Sequence, residues 1–131
     1  PFASKSLIQK LFEEASPAIG AVPAIPVKDS VRRKNGDYWE VAKRSELRKI
    51  QTPQVFDLRE LISAYETASQ YQNETFSDDA SVYEKSGKFI KLVDGEPKNF
   101  KVTDELDFKL LIDHFSNYFV NLQAHFQKRR T

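Results

Sequence analysis

Ten consecutive residues, Ala18-Ile-Gly-Ala-Val-Pro-Ala-Ile-Pro-Val27, carry no charged or hydrogen-bonding side chain. An extended segment without polar alternation must be covered on both faces, which is the situation of a strand inside an α/β sheet. The run is also broken by Pro23 and Pro26, and is far shorter than the roughly 20 residues a membrane helix needs. Each proline removes a ladder donor, so the strand is expected to be edge-like or irregular at those points. A chain of 131 residues is long enough for one domain with a sizeable core.

The flanking segments supply the cover. Ser4 or Ser6 can cap a helix from about Lys5 to Ala15, with Leu7, Ile8, Leu11 and Phe12 on one face, and Pro17 stops it. Lys28 to Arg44 is basic and hydrophilic around Asn35-Gly36. That dipeptide suits a type I′ turn, so Val31–Lys34 and Asp37–Val41 are expected to pair as a hairpin arm (28–46) projecting from the domain. Leu47 to Gln51 reads as a short strand ended by Thr52-Pro53-Gln54. Asp57 then caps a helix, with Phe56 stapled against Leu61 and a buried stripe of Leu58, Leu61, Ile62 and Tyr65.

Polar residues from Ser69 to Glu74 form a loop, and Ser77 is expected to cap a helix over Asp78–Ser86 that Gly87 terminates. Phe89–Val93 is a strand, Asp94–Asn99 a turn and Phe100–Val102 a second strand. Thr103 caps the last helix, where Phe108, Leu111, Phe115, Phe119, Leu122 and Phe126 recur every three or four residues. This order predicts an α/β fold, an incomplete doubly wound (Rossmann-like) sheet with a projecting β-hairpin arm. In such sheets ligands bind at the carboxyl ends of strands.

Composition narrows the function classes. Twenty Lys+Arg against 19 Asp+Glu leave a net charge of +1, which gives no electrostatic reason for a nucleic-acid or acidic-membrane partner. The absence of cysteine excludes disulfides, thiolate metal sites and thiol nucleophiles. The amino terminus lacks the basic-then-apolar layout of a signal peptide, and a soluble cytoplasmic protein is expected. The chain opens at Pro1-Phe2-Ala3 without methionine, so it is read as processed or as part of something longer.

The end of the first strand (Asp29, Ser30), the arm's return (Arg44), the loop after the next strand (Thr52), the start of the short helix (Ser77) and the last strand (Lys101) together offer hydroxyls, cations and a carboxylate. That set suits a small phosphorylated polyol, with the cations on the phosphate and the acid and hydroxyls on the alcohols. The four glycines stand alone at 20, 36, 87 and 95, so there is no phosphate-cradling loop, and no metal-ligand spacing appears. His114 and His125 are read as helix-surface or packing residues, and the Phe115/Phe119/Phe126 stripe as core or interface packing. From residues alone, the chain can bind half of a reaction but not run one.

Ala24-Ile-Pro-Val-Lys-Asp-Ser30, Arg44, Gln51-Thr-Pro-Gln-Val-Phe56, Asp78-Asp-Ala-Ser81 and Leu92-Val-Asp-Gly95 with Asn99-Phe-Lys-Val-Thr103 resemble the carboxyl-terminal half of bacterial 2-C-methyl-D-erythritol 4-phosphate cytidylyltransferases. The likeness runs from about Pro1 to His114. It implies transfer of a cytidylyl group from CTP to methylerythritol phosphate, with pyrophosphate released, in non-mevalonate isoprenoid precursor synthesis. It further implies that Arg44 and Lys101 position the substrate phosphate and that Asp29, Ser30, Thr52 and Ser77 contact the polyol. Serine at 30 and 77 replaces the family's threonine, keeping the hydroxyl and losing a methyl contact. Family members dimerise through the arm, so Ser30 and Arg44 would serve the neighbour's site.

Mg²⁺ or another divalent cation would sit mainly with the CTP phosphates and an upstream CTP-binding half absent from these residues. No residue here is assigned to the metal, and the chain alone is expected to be inactive. The segment 115–131 is read as a helical tail beyond the family's usual end. A ribitol-5-phosphate cytidylyltransferase is the alternative within the class, and a non-catalytic module dimerising through the arm is the alternative outside it.

Overall fold

The computed structural model describes residues 2–71 and 75–128, with side chains as far as residue 116. The chain divides into two compact units, Pro1–Phe100 and Lys101–Thr131. In the first, helix α1 (Lys5–Glu14) precedes strand β1 (Ile19–Pro26). A hairpin of β2 (Arg32–Asn35) and β3 (Tyr38–Val41) follows, then a 3₁₀ turn at Arg44–Glu46 and strand β4 (Arg48–Ile50). Helices α2 (Leu58–Ala68) and α3 (Asp79–Lys85) and strand β5 (Phe89–Asp94) complete the unit.

The apolar run is the middle strand of a three-stranded sheet ordered β4-β1-β5, with β5 parallel to it and β4 antiparallel. Gly20 to Ala24 are buried. One face packs Ala21 and Val93 against Leu7 and Leu11 of α1. On the other, Ile90 and Phe56 pack against Ala64, Ala68, Val82 and Tyr83. Ile90 and Val93 are three residues apart in one strand and so point to opposite faces. The double cover demanded by the sequence is therefore present, and each buried leucine contributes about 1.5–3 kcal/mol.

Pro23 lies in this central strand, not at an edge. Its carbonyl accepts from Gln51 N at 2.8 Å. The donor that proline lacks would face the same neighbour, which leaves the ladder just there as Thr52–Gln54 before Val55 rejoins at Ala21. The missing bond thus coincides with a loop on the partner rather than with a free edge.

Local signals settle most helix ends, with shifts of one residue. Ser4 Oγ accepts from Leu7 N at 3.0 Å and caps α1. Asp57 caps α2, accepting from the amides of Arg59 and Glu60. The buried stripe of α2 is Ala64 and Ala68 with Leu61, whereas Leu58, Ile62 and Tyr65 are exposed. The stripe is rotated by one residue, about 100°, because small side chains let α2 approach the bulky Tyr83 and Val82 of α3.

Helix α3 is capped by Asp78, not Ser77, in a reciprocal box with Ser81, and Gly87 ends it at φ +84°. Phe100–Val102 forms no strand. Asn99 is tied into a turn by its own bond to Glu96 O, and Phe100 stacks on Phe2 at 4.6 Å between ring centroids. Of the 69–74 loop, residues 72–74 lie outside the described residues.

The arm is a two-stranded ribbon in the register Arg32↔Val41 to Asn35↔Tyr38. Its two-residue turn is Gly36-Asp37, one position later than expected. Gly36 has φ +59° and no non-glycine residue among those described has positive φ, so the turn is type II′, not I′. Tyr38 and Trp39 are 81% and 61% exposed.

The second unit contains helix α4 (Glu105–Lys128). Its cap is Asp104, which accepts from Asp107 N at 2.8 Å. Thr103 sits one residue earlier and donates through N and Oγ1 to the Asp107 carboxylate. Phe108 and Phe115 are exposed, while Phe119, Leu122 and Phe126 fall outside the described side chains. Among the described residues no helix is long and apolar enough to cross a membrane.

Candidate functional site

Two groups of candidate residues are built by different means. The first is the root of the arm. The 3₁₀ turn is closed by Leu47 N to Arg44 O at 3.1 Å, and it aims the Arg44 guanidinium back at the start of the arm. Arg44 Nη1 donates to the carbonyl of Lys28 at 2.7 Å, directly before the exposed pair Asp29-Ser30. This bond engages one of the five donors a guanidinium carries. Further out, Arg33 pairs with Glu40 at 2.5–2.9 Å. Hydrogen bonds from Arg33 and Asn35, together with the Arg33 charge, hold the Glu40 carboxyl below its ordinary range.

The second group lies where β4 and β5 end. The side chain of Gln51 is buried and fully used. Its Nε2 donates to Glu96 O at 2.7 Å and Asn99 O at 2.8 Å, and its Oε1 accepts from Glu96 N at 3.0 Å. Asn99, also buried, donates through Nδ2 to Thr52 O at 2.7 Å. Gly95 is required here, since a Cβ on it would overlap Gln51 Oε1 and sit 3.2 Å from the Ala24 backbone. Ser4 Oγ adds a bond to Glu96 Oε1 at 2.5 Å, joining the cap of α1 to the same turn.

Gln54 extends the cluster to α3. Its Nε2 donates to Asp78 Oδ2 at 2.9 Å and its Oε1 accepts from Ala80 N at 3.2 Å. Partial burial pushes the Asp78 carboxyl up, but the hydrogen bonds from Gln54, Ser81 and Ser77 outweigh it and leave the group below its ordinary value. Ser77 is exposed and donates to Asp78 Oδ1 at 3.4 Å. Tyr65 donates to Asp79 Oδ1 at 2.5 Å; this bond, with partial burial and the nearby carboxylates, raises the phenol above its ordinary value.

The structure thus gathers Asp29, Ser30 and Arg44 at the arm root, and links Thr52 and Ser77 through Asn99, Gln51, Gln54 and Asp78. Lys101 is exposed and opens the second unit. Gln51, Gln54 and Asn99 stand within the motifs above, but the sequence alone assigns them no role. The available signal was three side-chain amides beside Thr52 and before Lys101, a residue type that bridges backbone donors and acceptors at once. Among the described residues no three His, Cys, Asp or Glu side chains gather closely enough to hold a metal ion.

Known proteins resemble this chain over most of its length. The chain is 36% identical over 110 residues to 2-C-methyl-D-erythritol 4-phosphate cytidylyltransferase of Phocaeicola vulgatus, covering 84% of the chain and 49% of that protein. It is 37% identical over 112 residues to the bifunctional enzyme IspD/IspF of Chelativorans sp., covering 84% of the chain and 28% of that protein. Among solved structures, the 2-C-methyl-D-erythritol 4-phosphate cytidylyltransferase of Thermus thermophilus superposes with a TM-score of 0.72 at 35% identity, over 84% of this chain and 54% of that one. The chain therefore spans about half the length of the single-function relatives it matches. The family model for 2-C-methyl-D-erythritol 4-phosphate cytidylyltransferase (IspD) matches residues 1–113, and the chain belongs to that family.

Proposed function

We propose that the protein to which these residues belong transfers a cytidylyl group from CTP to 2-C-methyl-D-erythritol 4-phosphate, in isoprenoid precursor synthesis, and that this chain supplies the polyol-phosphate side of the site. An oxygen of the substrate phosphate forms a bond to the α-phosphorus of CTP, the bond to the bridging oxygen breaks, and pyrophosphate leaves. Two like unit charges about 4 Å apart repel by roughly 4 kcal/mol at an effective dielectric near 20, so an anionic nucleophile needs fixed cations. Arg44 and Lys101 fill that role. Asp29, Ser30, Thr52 and Ser77 hold the alcohol groups. Positioning and electrostatics are most of what phosphoryl transfer asks of a protein.

The observation that supports this reading most is the anchoring of Arg44 to the Lys28 carbonyl. It sets a cation beside Asp29-Ser30 at the base of a ribbon whose strands pair only with each other. A divalent cation would travel with the CTP phosphates. The described residues here do not form a site for it, and no step is assigned to it. The ribbon is the natural element to cross to a second copy, placing Arg44 and Ser30 in the neighbour's site. Solubility in the cytoplasm fits this chemistry.

The test uses the complete gene product with CTP and each polyol phosphate, following pyrophosphate release. Turnover is expected with methylerythritol phosphate, and release only with ribitol 5-phosphate would overturn the reading. Arg44→Ala and Lys101→Ala should each lose about 100-fold or more in turnover, the scale of removing one fixed charge-stabilising donor. If the arm crosses between subunits, mixing the two inactive variants restores one intact site per mixed dimer, about a quarter of wild-type activity. No recovery on mixing would place both cations in one subunit's site.

A further inference from the structure

The buried amides are not needed to complete either face of the sheet, since both faces are already closed by apolar side chains. What they join is specific. Gln51 spans β1 beside Ala24 and saturates its amide on Glu96 and Asn99. Asn99 then returns a donor to the carbonyl of Thr52, the residue next to Gln51. The result is a closed loop of hydrogen bonds between the peptide bearing Thr52 and the turn that follows β5. A proline at 53 follows at once, and Gln54 fixes the other side of the same loop to the first turn of α3 beside Ser77.

We propose that Gln51 and Asn99 are positioning residues, which touch no substrate but set Thr52 against the polyol and fix the point from which the chain departs toward Lys101, two residues further on in sequence. This rests on the reading of Thr52 and Lys101 given above. Amides suit the task because one planar group supplies two donors and an acceptor without charge, so burial carries no ionisation cost. Hydrocarbon of equal size would fill the same volume but strip Glu96 N and Asn99 O of the Gln51 amide, and leave Glu96 O only its bond from Asn99 N.

The test is steady-state kinetics of the complete gene product carrying Gln51→Ala, Gln51→Glu or Asn99→Ala, at a temperature where circular dichroism shows each variant folded. Wild-type turnover with methylerythritol phosphate establishes the underlying reading; its absence defeats that reading before the variants are compared. With turnover present, Gln51→Ala and Asn99→Ala should lose about 100-fold in kcat/KM for the polyol phosphate, the effect of a misplacement near 1 Å, while KM for CTP stays within about twofold. Gln51→Glu adds a signature that bulk stability does not give. A protonated carboxyl can accept from Glu96 N and donate to one carbonyl, whereas the carboxylate keeps the bond from Glu96 N but repels the carbonyl oxygens of Glu96 and Asn99. Its kcat/KM relative to wild type should therefore rise as pH falls, with no such trend in Gln51→Ala. Folded variants with wild-type kinetics, or equal losses toward CTP and polyol, would overturn the proposal.

Discussion

The arm and the sheet-end cluster carry candidate residues of the same kind by opposite means. In the arm, every strand bond joins residues within the same short ribbon, the turn is set by Gly36, and the ion pairs are between neighbours, Arg33 with Glu40 and Lys43 with Glu46. In the cluster, Gln51, Gln54, Glu96 and Asn99 bond across 24 to 48 residues of sequence, and two of the four are buried. Exposed pairs contribute about 0–1 kcal/mol, whereas an amide left unpartnered in the interior costs about 1–3 kcal/mol. One region is a ribbon held by contacts between residues close in sequence, and the other a seat built from residues far apart in the chain.

Three substitutions break or sharpen this contrast, and the largest effect belongs to the cluster. Gly95→Ala places a Cβ on Gln51 Oε1 and close to Ala24. Overpacking of this kind costs about 1–3 kcal/mol, so global unfolding in urea should shift by that amount with the whole sheet affected. An unchanged midpoint would show that the seat yields freely.

Gly36→Ala tests the arm. A side chain at φ +59° costs about 1–2 kcal/mol, yet the ribbon shares no strand pairing with the sheet. Hydrogen exchange should accelerate for the paired amides between Arg32 and Val41 and stay unchanged in β1 and β5. Acceleration in both would make the arm part of the cooperative core.

Asp78→Ala gives the smallest effect. Loss of the cap costs about 1 kcal/mol near neutral pH. Because the folded carboxyl sits below its ordinary value, its contribution is complete above the unfolded pKa of about 3.9 and is lost as pH falls through the folded value. The stability difference from wild type should therefore shrink on acidification below about pH 4. A difference that holds or grows there would deny the carboxylate its part in joining α3 to Gln54.

The arm and most helix starts were readable in the sequence because they rest on local chemistry. The hairpin followed from Asn35-Gly36 and the α2 start from Asp57, and the hydroxyl and cation candidates were chosen by residue type in the polar segments between elements. The one-residue shifts share one cause. The turn at Gly36-Asp37, the caps at Asp78 and Asp104 and the rotated stripe of α2 are each one residue from where the local pattern put them. Neighbouring residues of similar chemistry compete for such positions, and packing decides between them.

By itself the sequence determined that the Ala18–Val27 run would be a strand covered on both faces, that an exposed ribbon would follow it, and that no glycine loop for phosphates would be found here. Those outcomes depend on hydrophobic patterning and turn chemistry, which act over a few residues. Only the tertiary structure decided that Pro23 could stand in the middle strand, that Phe100–Val102 would not pair, and that three amides would bind the loop ends together. Each of these depends on which backbone groups lie opposite across long stretches of chain, and that partnership is set by the fold as a whole rather than by any segment within it.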